Sequence, residues 1–183
     1  MNKINQAVIL CGGKGERLRP LTQSTPKPMI KIDDRPFLEF LLKKISSQGI
    51  KKFLILSGYL GDQIKDYFGS GANWDLDIQY SHGPTEWDTA KRLWESRSQL
   101  DENFLFLYSD NYINFDLIKL ENHHYESKKS LTLSLAKKKN GNIAIDDEST
   151  VRKYDLNRDD SSLDLVEIGF MIANTSEVIK YYD

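Results

Sequence analysis

The spacing of apolar residues changes repeatedly along this chain, and each change marks an element. Ala7 to Leu10 is a short apolar run built around Val8 and Ile9, which favour an extended strand. From Pro36 the period lengthens. Phe37, Leu38, Phe40, Leu41 and Ile45 fit one face of a helix with proline at its first turn, ended near Gly49. Phe53 to Leu56 is again a buried strand. Tyr59 to Phe68 reads as a helix with Leu60, Ile64, Tyr67 and Phe68 on one side. Leu76 to Tyr80 alternates as a strand, and Glu86 to Leu100 reads as a polar helix carrying Ala90, Leu93 and Trp94. Phe104-Leu105-Phe106-Leu107-Tyr108 is apolar on both faces, the pattern of a central strand in a parallel sheet. A surface helix is expected from Ile118. Strands follow at Leu131 to Ala136, Ile143 to Ile145 and Val151 to Tyr154, with a lysine-rich hairpin turn at 137–142.

This alternation predicts an α/β fold with a doubly wound, mostly parallel sheet and a small antiparallel β insertion in the second half. In such sheets ligands bind beyond the carboxyl ends of the strands, where the winding reverses. The length of 183 residues fits one domain with a sizeable core. Twenty-five basic against twenty-seven acidic residues give a net charge of -2, so the composition announces neither a nucleic-acid nor a membrane surface. The single Cys11 excludes an internal disulfide and suits a reducing compartment. No signal peptide or long apolar run is visible, so a cytoplasmic location is expected. His82 reads as a solvent-facing loop residue and Trp87 as a partly buried packing aromatic. His123 and His124 are adjacent, point in different directions on a helix, make a poor metal pair and read as exposed.

The chemistry gathers just after the first strand. Gly12-Gly13-Lys14-Gly15 places three glycines in four residues, and Lys14, Arg17, Arg19 and Lys27 follow closely. Glycine lets a phosphate approach main-chain N–H groups, so the stretch suits an anion such as a triphosphate. Two phosphate loops are excluded. No Gly-Lys-Ser/Thr run of the Walker type is present, and a dinucleotide fingerprint begun at Gly13 fails because Leu18 stands at its third glycine. Pro26-Lys27-Pro28 holds a lysine between two prolines, which bias it toward an extended backbone and present its ammonium at low entropic cost. Asp110 follows the most hydrophobic strand. By position alone, Ser109-Asp110-Asn111 is equally a strand-ending turn and the place of a metal-bound phosphate.

The run Gly12-Gly13-Lys14-Gly15-Glu16-Arg17-Leu18-Arg19-Pro20-Leu21-Thr22, followed by Pro26-Lys27-Pro28-Met29, resembles the signature of the sugar-1-phosphate nucleotidyltransferases. The resemblance implies a Rossmann-like catalytic domain over residues 1–183, trimmed at its C-terminus, that joins a nucleoside triphosphate to a sugar 1-phosphate with Mg²⁺ as cofactor. It implies catalytic roles for Arg17, Lys27 and Asp110, with Asp110 as the metal ligand. Nucleotide binding would fall to Leu10, Cys11, Gly12, Gly13, Lys14, Gly15, Arg17, Gly83 and Thr89. Sugar-phosphate binding would fall to Lys27, Asn111, Glu167 and Gly169. Cys11-Gly12-Gly13 is closest in flavour to the heptose and mannose guanylyltransferases, which points to GTP. Self-association is left open.

Several positions depart from the family pattern. Glu16 stands in a Thr or Ser place and Ser109 in a glycine place. Gly83 replaces a polar residue, Asp88 and Lys91 replace glycines, and Glu167 replaces an asparagine. The lysine of the family's F-x-E-K-P segment is missing from Tyr154-Asp155-Leu156-Asn157-Arg158. These departures keep a second reading alive, a non-catalytic sensor that binds a nucleotide or sugar phosphate. The discriminating feature is the joint presence of Arg17, Lys27 and Asp110, which a binding module has little need to retain.

Overall fold

The computed structural model describes residues 4–182. The chain divides into two compact units, one holding residues up to Thr132 and from Met171 onward, the other Leu133–Phe170.

In the larger unit, β1 (Gln6–Cys11) is the central strand. Ala7, Val8 and Ile9 are fully buried, as an apolar run covered on both faces requires. After the glycine loop come a short antiparallel hairpin, β2 (Lys31–Ile32) and β3 (Arg35–Pro36), and the helix α1 (Phe37–Ser46), which buries Leu38, Leu41, Leu42 and Ile45. Next are β4 (Lys52–Ser57), α2 (Gly61–Phe68), β5 (Asp77–His82), α3 (Thr89–Glu95), β6 (Asn103–Tyr108) and α4 (Leu117–Ser127). The strands stand in the order β5-β4-β1-β6, and β1 is parallel to both of its neighbours. Winding runs from β1 outward through β4 and β5, then returns to the other side of β1 for β6. The reversal therefore lies between β1 and β6, and their carboxyl ends carry Gly12 and Ser109.

The other strands are β7 (Leu131–Lys137), β8 (Ile143–Ile145), β9 (Val151–Tyr154) and β10 (Leu165–Asn174), and α5 (Thr175–Ile179) follows β10. In the smaller unit β8 pairs antiparallel with both β9 and β10, the expected antiparallel insertion. The doubly wound, mostly parallel fold expected from the alternation is thus the fold observed.

Three local expectations change. The helix expected over residues 86–100 is confined to α3, because the Asp88 carboxylate accepts the Lys91 N–H at 2.8 Å and sets the start. Its end comes at Ser96, whose hydroxyl donates to the Arg92 carbonyl at 2.9 Å, and a separate 3-10 turn follows at Arg97–Gln99. Lys27 is not extended. It opens a 3-10 turn, Lys27–Met29, whose first turn tolerates Pro28 because no N–H is needed there.

His124, expected at the surface, is 4% exposed, while His123 is exposed. Successive helical residues point about 100° apart, so one of an adjacent pair faces inward. Its Nδ1 lies 2.8 Å from Thr132 Oγ1, and burial holds its pKa below the usual histidine value. The folded protein disfavours the proton that the unfolded chain accepts. Stability is therefore full above about pH 6.5 and declines as pH falls below it. Urea unfolding between pH 7.5 and 5 is expected to show this decline in the wild type and a shallower one in His124→Asn. Parallel slopes for the two proteins would remove the assignment.

Candidate active site at the sheet switch point

The loop after β1 does not present a uniform ring of glycines. The side-chain-free face of Gly12 is filled from within the protein by the Arg92 guanidinium, and Gly12 itself is buried. Beside Gly13 there is open space, and Gly13 and Lys14 are exposed. Gly15 sits at φ +62°, in the left-handed region that favours glycine. A Cβ there would come within 3.0 Å of Thr22 Cγ2 and 3.2 Å of Lys27 Cβ. The Gly15 carbonyl accepts the Thr22 hydroxyl at 2.9 Å and the Leu18 N–H at 2.9 Å. Gly15 thus packs the loop against the segment that carries Lys27.

Lys27 in turn reaches across 83 positions of sequence to form an ion pair with the Asp110 carboxylate. Both side chains stay partly open, at 28% and 37% exposure. They line a cleft of about 180 Å³ together with Ser109, Leu18, Ile30 and Phe37. The cleft lies at the winding reversal, where a doubly wound sheet places its ligands. Lys14 and Arg17 are exposed nearby in sequence and make no ion pair with any described residue. Among the described residues no three histidine, cysteine or carboxylate side chains gather into a metal-binding group. Magnesium does not require one, since it is commonly held by one or two carboxylates, water and substrate phosphates. A lone, part-exposed Asp110 fits that mode.

The remaining expected positions fall as follows. Leu10 is half-buried on β1 between Leu56 and Tyr108. Cys11 is 2% exposed, and burial pushes its thiol up to about 12, so it is chemically quiet. Gly83 is buried, its N–H donates to the Ser57 carbonyl at 3.1 Å, and its open face lies under the Trp87 indole. Thr89 is the first residue of α3, and Asn111 directly follows Asp110. Glu167 and Gly169 belong to the smaller unit, on β10. There Gly169, at φ +82°, donates its N–H to the Glu167 carboxylate. Arg158 is exposed in the turn after β9, with Nη1 3.4 Å from the Asn140 carbonyl. Sequence reasoning missed Arg92. Its only signal was a glycine just past each of β1 and β4.

Fold and cleft define a doubly wound α/β protein with a candidate ligand cleft at the sheet's switch point. The family model for nucleotidyl transferases matches residues 6–154, and the chain belongs to that family. It is 34% identical over 131 residues to the D-glycero-alpha-D-manno-heptose 1-phosphate guanylyltransferase of Aneurinibacillus thermoaerophilus, covering 71% of this chain and 56% of that protein. Identity to the enzyme of the same name from Campylobacter jejuni is 32% over 152 residues, covering 82% and 67%. The chain thus spans between about half and two thirds of the length of these relatives. Among solved structures it is similar to HddC from Yersinia pseudotuberculosis, with a TM-score of 0.80 at 21% identity over 98% of this chain and 81% of that one. UDP-glucose pyrophosphorylase in complex with UDP-glucose gives 0.77 at 18% identity, over 96% and 78%.

Proposed function

We propose that this protein transfers a nucleoside monophosphate from a nucleoside triphosphate to a sugar 1-phosphate. A phosphate oxygen of the sugar 1-phosphate would bond to the α-phosphorus. The bond from that phosphorus to the bridging oxygen would break, and its electron pair would leave with pyrophosphate. The attacking oxygen is already anionic, so the protein's work is alignment and charge stabilisation and needs no general base.

The observation that carries this reading is the Lys27–Asp110 pair at the switch point, beside an exposed glycine loop. Backbone N–H groups around Gly13 and Gly15 would receive phosphate oxygens, and Arg17 would hold the β- and γ-phosphates. Lys27 would neutralise charge between the α-phosphate and the incoming sugar phosphate. Asp110 would hold Mg²⁺, which when bound supplies charge neutralisation at the phosphates. Family membership and relatives named as sugar-1-phosphate guanylyl- and uridylyltransferases support the reaction class. The guanylyltransferases among them favour GTP. A cytoplasmic enzyme is proposed, and among the described residues no helix is long and apolar enough to cross a membrane.

Pyrophosphate release is the direct test. It is expected only when a triphosphate, Mg²⁺ and a sugar 1-phosphate are all present, and faster with GTP than with UTP, CTP or dTTP. No release across a broad sugar panel would leave the sensor reading in its place.

A further inference from the structure

Arg92 is a buried charge that the reaction as proposed does not use. It lies on α3 and is 4% exposed. Nη1 donates to the Ser57 carbonyl at 2.6 Å and Nη2 to the Pro84 carbonyl at 2.6 Å. Ser57 ends β4 and Pro84 lies two residues past β5, so the guanidinium ties together the turns after two adjacent strands.

It also supports the turn after a third. Cys11, Ser57 and His82 are in register across β1, β4 and β5, and each is followed by a glycine, at positions 12, 58 and 83. Arg92 fills the open faces of the first two. A Cβ on Gly12 would overlap the guanidinium, and one on Gly58 would come within 2.7 Å of Nη2 and 2.7 Å of the Gly12 carbonyl. That carbonyl also accepts the Tyr59 N–H at 3.3 Å. The glycine loop therefore rests on a planar, charged side chain clamped from both sides.

The electrostatics point the same way. A buried guanidinium is costly unless an anion compensates it, and the hydrogen-bond acceptors found for Arg92 are backbone carbonyls. Among the described residues no carboxylate lies at ion-pair distance from it, and Glu86 compensates it only in part. Burial accordingly holds its pKa below the usual arginine value, a cost that a polyanion on the adjoining loop would offset.

We propose that Arg92 is a positioning residue for the triphosphate, fixing the Gly12–Gly15 loop against the turns after β4 and β5 and supplying a buried positive charge beneath it. The assignment rests on the nucleotidyl-transfer reading and adds to it a residue that touches neither substrate nor metal. Arg92→Gln keeps a hydrogen-bonding head and removes the charge. Arg92→Lys keeps the charge and loses the two-carbonyl fork.

The test is calorimetric titration of the full chain with GTP, UTP, CTP, ATP and dTTP in Mg²⁺, with guanosine as the uncharged control. Hydrogen exchange of the amides at 12–15 is followed in parallel without ligand. Arg92→Gln is expected to weaken triphosphate binding roughly tenfold or more, with guanosine binding little changed, and to speed exchange in the loop while β6 stays protected. Arg92→Lys should recover part of the affinity and less of the protection. If Arg92→Gln does not fold, Arg92→Lys decides the matter: it keeps the charge, and wild-type affinity with wild-type loop exchange in that variant would leave the two-carbonyl fork without a role. Wild-type affinity and wild-type exchange in the folded variants would overturn the role of Arg92 while leaving the transferase reading intact. A wild-type chain that binds none of the five triphosphates would overturn both.

Discussion

Asp110→Asn is expected to lower turnover by roughly two to three orders of magnitude and to leave the protein folded. The substitution keeps the shape of the side chain and removes the negative charge proposed to attract Mg²⁺. It also breaks the ion pair with Lys27. Those partners are 28% and 37% exposed, so solvent already screens them, and the stability cost is about 0–1 kcal/mol. The effect on rate and the effect on folding are therefore well separated. Turnover measured over a Mg²⁺ series, beside thermal melting, checks both. A wild-type rate at saturating Mg²⁺ would sink the assignment.

Lys27→Ala gives the second large effect, a loss of roughly 30- to 1000-fold in the transfer step. If Lys27 acts on charge that develops as the sugar phosphate attacks, the chemical rate falls further than triphosphate affinity does. Arg17→Ala is expected to show the larger binding component, because the β- and γ-phosphates carry their charge before reaction too. Lys27→Arg does not restore the rate in full. A planar fork does not reproduce the point charge that pairs with Asp110. Single-turnover rates and equilibrium triphosphate affinities separate the two roles. Normal transfer by saturated Lys27→Ala would assign that lysine to binding alone.

The features that sequence made legible are local ones. The strand at Ala7–Leu10 and the apolar run at 104–108 each carry their own signal. Positions two residues past each run are placed by the strand, so Gly12 and Asp110 are legible without knowing what they meet. The meeting of Asp110 with Lys27 is implied only by resemblance, since no local rule brings position 27 to position 110. Arg92 was invisible for a related reason. On a short polar helix an arginine reads as solvated, and its burial depends on two glycines that follow separate strands. His124 failed in the same way, because Thr132 becomes its partner only when β7 follows α4 back toward the helix. The start of α3 was readable in principle, since Asp88 three residues before Lys91 is a capping signal.

The central place of β1 carries a consequence for how the chain is made. Ala7 pairs on one side with Phe53 and on the other with Leu105. A nascent chain leaving the ribosome therefore carries this buried strand for a long stretch of synthesis with one edge unmatched, and that edge is satisfied only when β6 emerges. Contacts this far apart in sequence form slowly, and an unpaired apolar strand is exposed to aggregation meanwhile. The same event that closes the edge delivers Asp110 to Lys27. The Lys27–Asp110 pair is therefore assembled only once β6 has paired with β1.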